Sequence, residues 1–365
     1  MENMAIDPIF WKDKSVLLTG HTGFKGSWLS LWLSSMGANL TGFSLSPSTQ
    51  PNLFNTLNIE DSFQSIIGDI RNFDLLQKTV DKAKPEIIIH MAAQSLVLDS
   101  YNSPIDTYST NIMGTVHILE TARLSDSVRA IVNVTSDKCY DNQERSDHGY
   151  TENDAMGGYD PYSSSKGCAE LVTSAYRSSF FNSETYNNHH IAIASARAGN
   201  VIGGGDWAQN RLIPDFIRAI TNKEELIIRN PLSIRPWQHV LEPLSGYLML
   251  AQELYKEGTE YAEAWNFGPL EVEVKNVEWI ANKLTHYWAE GSKFSTAHNT
   301  MNPHEANYLK LNSNKAMTKL KWQPRWDINE TIKRTCLWYK ANFNQKNMRE
   351  YSLNEIDEYL NSSYL

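Results

Sequence analysis

The sequence predicts an α/β protein: a doubly wound parallel sheet, followed by a smaller C-terminal α/β domain. Three observations carry this. Apolar runs of strand length alternate with segments of helical periodicity through about residue 200. Two of the runs, Pro85 to His90 and Ala130 to Val134, are apolar almost throughout, as strands covered on both faces require. The first run, Val16-Leu17-Leu18-Thr19, ends in glycines at 20, 23 and 26. A helix-like segment with Trp28, Leu29, Leu31, Trp32 and Leu33 follows it.

Strand, tight turn and helix in that order make a Rossmann-type dinucleotide site. Gly20 permits the turn, Gly23 lets a pyrophosphate approach the backbone, and Gly26 lets helix pack on strand. The helix start offers unpaired N–H groups and a positive dipole end. His21, Phe24 and Lys25 share this loop and join the expected cofactor contacts. His21 and Lys25 are bulky for a phosphate loop.

A helix ended by Gly37 leads to a second strand, Asn39 to Leu45. Its end carries no acid for an adenosine ribose, and no Lys or Arg stands between Gly26 and Arg71 to meet a 2′-phosphate. The cofactor read from this is NAD rather than NADP. A third strand, Ser65 to Ile70, places Asp69 and Ile70 at its carboxyl end. Asp69 either caps the helix starting near Asn72 or accepts the adenine amino group. After the fourth strand, Ala92 and Ala93 are small enough for a cofactor to lie against the backbone, and Gln94 follows. Asp106 to Arg123 has helical spacing, and Ala130 to Val134 is the fifth strand. Gly203-Gly204-Gly205 reads as a flexible break and a domain edge. Residues 1–198 are then the cofactor domain, with later segments at about 237–268 returning to it, and 199–365 the substrate domain. Within the latter, Glu225 to Ile228 reads as a short strand and Val277 to Trp288 as a helix.

Composition narrows the function. A net charge of −9 over 365 residues argues against a nucleic-acid partner. No apolar run reaches membrane-spanning length. Cys139, Cys168 and Cys336 are isolated, which fits reduced thiols in the cytoplasm. The histidines show no metal-ligand spacing, and no metal is expected. Most of the eleven tryptophans read as packing.

Thr135-Ser136-Asp137-Lys138 follows the fifth strand, at the sheet edge where open α/β sheets bind ligands. Tyr162 and Lys166 lie one helical turn apart after Pro161. A phenol has an ordinary pKa of about 10. A neighbouring ammonium and a nicotinamide charge both favour its phenolate, so Tyr162 can serve as a base for a sugar hydroxyl.

In this order and spacing, the glycine loop, Asp69-Ile70, Ser136 and the Tyr162/Lys166 pair resemble the extended short-chain dehydrogenase/reductase superfamily. Longer strings narrow the likeness: Gly20 to Trp28, Thr135 to Tyr140, Gly158 to Ser163, Ala198 to Trp207 and Arg235 to Val240 are similar to the CDP-glucose 4,6-dehydratase family. The resemblance implies conversion of CDP-glucose to CDP-4-keto-6-deoxyglucose, a precursor of bacterial dideoxysugars and O-antigen. It implies that Tyr162 takes the 4-hydroxyl proton while C4 gives hydride to NAD⁺, with Lys166 holding the nicotinamide ribose and Ser136 the C4 oxygen. Asp137 as acid and Lys138 as base would then remove water across C5 and C6, and the hydride would return to C6. Arg211, Arg235 and Asn200 would hold the diphosphate, and Gln94 and His304 would meet substrate, with Tyr308 beside them. The two long helices, 106–123 and 162–179, match those that form a homodimer in the superfamily. Relatives of this family carry Pro at Ser95 and Arg at Leu98, so this stretch departs from their pattern. Two alternatives stand beside this reading: a nucleotide-sugar 4-epimerase or another 4,6-dehydratase, and a non-catalytic NAD-binding regulator.

Overall fold

Seven parallel strands lie in the order β3-β2-β1-β4-β5-β6-β7. They are β1 Ser15–Thr19, β2 Asn39–Ser44, β3 Gln64–Ile67, β4 Ile87–His90, β5 Ala130–Val134, β6 Ala192–Ala198 and β7 Ala264–Phe267. The computed structural model describes residues 5–145, 147–289, 291–296 and 306–365. Strand order reverses between β1 and β4, which is where a doubly wound sheet opens a crevice for ligands.

Alternate residues of each strand point to opposite faces and build two cores. Val16, Leu18, Ile87, Ile89 and Val132 face the larger one, shared with Trp28, Trp32, Trp265 and Trp338. Leu17, Ile88, Ile131 and Ile193 face the other, with Ile118 and Leu119. Six of the tryptophans (11, 28, 32, 265, 322 and 338) are fully buried, as packing residues should be.

Local signals explain the helix starts. Asn72 caps Phe73–Ala83 by accepting from Leu75 N, so Asp69 is not that cap. Asp160 caps Pro161–Ser179, taking Ser163 N at 2.9 Å and Ser163 Oγ at 2.6 Å, with Pro161 in the first turn.

Two expectations need correction. The helix expected from Asp106 to Arg123 begins at Pro104 and is interrupted by one wide turn, Ser109–Met113, before Gly114–Arg123. Periodicity over eighteen residues does not register a single inserted residue. The glycine run 203–205 is not a flexible break. All three are buried: a Cβ on Gly204 would sit 2.0 Å from Trp338 Cγ, and one on Gly205 2.3 Å from Leu53 Cδ1. These glycines serve close packing of loop on helix. Val201–Ile202 just before them pairs with Gln238–His239, and this brings Arg235 and Trp237 to the crevice.

Gly204→Ala should therefore overpack the Trp338 site and cost about 1–3 kcal/mol. Denaturant unfolding should show a lower midpoint at unchanged slope; an unaltered midpoint would contradict the packing.

Candidate active site

A cavity of about 750 Å³ lies over the carboxyl ends of β1, β4 and β5. At its floor, backbone meets backbone. Gly20 has φ +78°, and a Cβ there would fall 2.8 Å from Ala92 N; a Cβ on Gly26 would fall 2.0 Å from Gly20 O. Helix Phe24–Ser35 starts at Gly23 with no side chain capping it, so its first N–H groups are left to the cavity. Ala92 and Ala93 line the opposite wall.

Beneath this wall, Thr19 Oγ1 accepts from Met91 N and Ala92 N, both at 3.1 Å, and lies 2.7 Å from His90 Nδ1. With two donors already pointed at it, the hydroxyl must give its own proton to His90 Nδ1. Burial pushes His90 down to about 3, so it stays neutral. Gln94 N donates to Asn111 Oδ1 at 2.9 Å, while Asn111 Nδ2 donates to Gln94 O and to Ser165 Oγ. Asn111 sits in the wide helical turn. Neither Thr19 nor Asn111 stands out in the sequence, because their partners are remote along the chain.

The glycine loop differs from expectation at its two large residues. His21 turns away from the cavity. Its ring packs at 5.5 and 5.7 Å from Phe54 and Phe63, and Nε2 lies 2.7 Å from Ser65 Oγ. Gly42 of β2 makes room for it: a Cβ there would meet the ring at 2.5 Å. His21 is thus structural, and burial lowers it to about 4. Thr22 lines the cavity in its place, bonded to Ser44 Oγ and Leu45 O. Lys25 does line the cavity, but its Nζ donates to Tyr247 OH at 3.1 Å. Burial, with Lys166 and Arg211 nearby, brings Lys25 down to about 7.

Asp69 is engaged by Arg71, which donates from its backbone N, Nε and Nη2 and also pairs with Asp106 at 2.8 Å. Asp69 and Ile70 both line the cavity. Gln94 lines it too, but its side-chain amide is spent on its own loop, bonding Leu96 and Thr107.

The groups expected to react line one cavity. Ser136 Oγ caps the turn Asp137–Cys139, accepting from Lys138 N at 3.2 Å and donating to Asp137 Oδ1 at 3.0 Å. Its hydroxyl also lies beside the Tyr162 phenol. Asp137 Oδ2 is buried with no protein partner, and burial raises the carboxyl above its ordinary pKa. Lys138 is half-buried on the cavity wall. Lys166 Nζ donates to Val134 O at 3.2 Å. Burial lowers Lys166 to about 8 and raises Tyr162 to about 12. Phenolate near neutral pH is therefore not a property of the chain by itself. Of the cations on the wall, Arg211 is the one that offsets burial at Tyr162, while Lys166 is directed at the strand end.

Arg211 is held by Asp206 at 3.0 Å and by Ser95 Oγ at 3.2 Å, and it stands in the cavity with Asn200. Arg235 is buried there too, close enough to Asp137 to draw its pKa down. Leu98 also lines the cavity. Tyr308 does not: it bridges Ile234, with Lys310 over its ring. His304 lies outside the described residues.

A glycine turn over a strand-order reversal, with Ser, Tyr and Lys at one crevice, defines an oxidoreductase-type nucleotide-binding enzyme of the short-chain dehydrogenase/reductase class. The model of the GDP-mannose 4,6-dehydratase family matches residues 17–335, and the chain belongs to this family. It is 54% identical over 358 residues to CDP-glucose 4,6-dehydratase of Salmonella typhimurium, covering 98% of this chain and 99% of that one. It is 26% identical to human dTDP-D-glucose 4,6-dehydratase, over 92% and 93% of the two chains. Among solved structures it is similar to dTDP-glucose 4,6-dehydratase of Streptomyces venezuelae with NAD bound. There the TM-score is 0.75 at 22% identity, covering 91% of this chain and 98% of that one. UDP-glucose 4-epimerase of Thermotoga maritima gives 0.75 at 18%, over 90% and 99%. At such identities the two structures speak for the fold.

The raised Tyr162 yields a direct expectation. In the ligand-free protein, alkaline titration followed by tyrosinate absorbance should not differ between wild type and Tyr162→Phe below about pH 10. A wild-type excess of one tyrosinate near pH 8 would contradict the burial argument.

Proposed function

We propose that this protein is an NAD-dependent hydro-lyase that converts CDP-D-glucose to CDP-4-keto-6-deoxy-D-glucose. The observation that carries the reading is Asp137: a buried carboxyl with one unpartnered oxygen on the cavity wall, next to Lys138 and one residue from Ser136. A 4-epimerase needs Tyr162 and Lys166 but no second acid/base pair. A regulator needs none of these groups. The 54% identity to the Salmonella enzyme supports CDP-glucose as the substrate.

The cavity fits the cofactor. Gly20 and Gly26 leave no room for side chains, and the uncapped start of helix Phe24–Ser35 suits a pyrophosphate. Arg71 is already occupied by two carboxylates, which suits NAD without a 2′-phosphate. Gly20, Gly23, Gly26, Asp69, Ile70, Ala92 and Ala93 would hold it. When bound, NAD supplies oxidising power at C4 of the sugar and the matching reducing power at C6.

The chain's own groups do the proton work. As phenolate, favoured by the charge of Arg211, Tyr162 accepts the 4-hydroxyl proton. Ser136 stabilises the carbonyl that forms at C4, and that carbonyl acidifies the C5 hydrogen. Lys138 removes the C5 proton and returns a proton to C5 when C6 is reduced. Asp137, whose raised pKa keeps the acid form accessible, protonates the departing C6 hydroxyl. Asn200, Arg211 and Arg235 bind the diphosphate.

We further propose residues 1–198, with segments at about 237–268 returning to them, as the cofactor part and the remainder of 199–365 as the sugar-nucleotide part, in a cytoplasmic enzyme that serves bacterial deoxysugar and O-antigen synthesis. No described helix is long and apolar enough to cross a membrane. A homodimer is supported by apolar side chains left exposed on and beside helices Gly114–Arg123 and Pro161–Ser179: Tyr108, Met113, Leu171 and Phe180. Leu171→Glu should shift the protein to a monomer in gel filtration with light scattering.

The mechanism is tested with CDP-glucose deuterated at C4, offered beside UDP-, dTDP- and GDP-glucose. Label should appear at C6 of a 4-keto-6-deoxy product. Label lost to solvent, or CDP-galactose as product, would sink the reading. Tyr162→Phe should lower kcat by about 10²–10⁴-fold.

A further inference from the structure

Behind Ser136 and Lys166, on the side away from the cavity, stands a carboxylate that the chemistry above does not use. Glu170 is one helical turn beyond Lys166 and two beyond Tyr162, and it is 5% exposed. It accepts four hydrogen bonds. Oε1 takes Thr135 Oγ1 at 2.5 Å and Arg197 Nε at 2.9 Å; Oε2 takes Ser195 Oγ at 2.6 Å and Arg197 Nη2 at 2.8 Å. Arg197 Nη1 continues to Tyr140 OH at 2.8 Å, which donates to Asn266 Oδ1 of β7 at 2.7 Å. One residue thus ties helix Pro161–Ser179 to β5, β6 and, through Arg197, β7.

The tie has a direction. Lys166 holds Val134 O, and Glu170, one turn on, holds Thr135 Oγ1. Consecutive residues at the end of β5 are therefore pinned by consecutive turns of the helix that carries Tyr162. Ser136, the next residue, lies beside that tyrosine.

We propose that Glu170 is a positioning residue for the reaction: through Thr135 it fixes the strand end bearing Ser136 against the helix bearing Tyr162 and Lys166. A buried ion pair by itself is weak evidence of any role beyond packing. Here, however, the same carboxylate holds two hydroxyls with different destinations. Thr135 leads to the reacting groups, whereas Ser195 lies mid-strand in β6 and leads to none. Glu170 also faces Lys166 as a charge. The other titratable groups on Lys166 are Cys139 from the turn after β5, His90 from β4 and Lys25 from helix Phe24–Ser35.

The test compares Thr135→Val, Ser195→Ala, Thr135→Ser and Glu170→Gln with wild type, in kcat and KM across pH. The inference rests on the dehydratase reading only for its assay. Each variant is scored as a ratio to wild type on whichever nucleotide sugar wild type turns over, so a failure of CDP-glucose shows in wild type alone. Thr135→Val should lose about fivefold or more in kcat with KM within about twofold, and Thr135→Ser should restore it. Ser195→Ala loses an equivalent bond and should keep kcat within about twofold. Equal losses in Thr135→Val and Ser195→Ala would overturn the proposal, as would an unchanged Thr135→Val. In Glu170→Gln, Arg197 is left unbalanced and the ammonium of Lys166 loses support. The alkaline limb should then move to lower pH by about half a unit or more. An unmoved limb in a folded Glu170→Gln would count against the charge contribution. Should that variant not fold, the threonine and serine variants still decide the matter.

Discussion

Everything in this molecule is arranged around one steric fact: at Gly26, a helix touches the turn that precedes it, backbone on backbone. A methyl group there would lie 2.0 Å from Gly20 O. That approach sets the first turn of helix Phe24–Ser35 over the end of β1. Gly20 in turn presses on Ala92 beyond β4. The crevice at the reversal of strand order is therefore bounded by main chain, whose N–H groups are fixed in direction. Thr19 secures the second wall from below by taking both the Met91 and Ala92 amides, and a neutral histidine receives its proton. Side chains are then free to differ in chemistry, since they do not define the shape.

Burial decides which way the ionisable groups of the cavity lean. It pushes Tyr162 and Asp137 toward their protonated forms and Lys25 and Lys166 toward their neutral ones. Each tendency opposes full charge, so the cavity costs less to desolvate than its list of ionisable residues suggests. Arg211, paired with Asp206, keeps its charge against burial, and behind the cavity Glu170 is held below its ordinary pKa against burial by Arg197. It is the fixed negative charge behind a group of adjustable ones. A carboxyl raised by burial thus stands beside a lysine, both reaching one cavity.

Much of this is legible in the chain because it is local. The glycine spacing, the unbroken apolar strands, Asp160-Pro161 ahead of Tyr162, and Ser136 after β5 each depend on residues within a turn of one another. What is not legible depends on remote partners. Nothing near His21 says that it turns from the phosphate loop, since the reason is Gly42 in the next strand. Gln94 looks available until Leu96 and Thr107 take its amide. Glycines 203–205 look flexible until Val240, Trp338 and Leu53, all remote in sequence, close on them in turn. Tyr162 beside Lys166 suggests an acidified phenol, yet the ammonium is drawn to Val134 O.

The wide turn at Ser109–Met113 carries a consequence for how this chain can change in length. Each residue of an α-helix advances the azimuth by about 100°. One extra residue thus rotates everything before it relative to everything after it. Asn111 and Thr107 stay with the loop at Gln94, while Ile118 and Leu119 stay with the core. The helix is two azimuthal frames spliced by a single surplus residue. A deletion anywhere in the splice would bring the frames into one phase and swing the Gln94 loop's supports out of reach, with no change in residue chemistry at all.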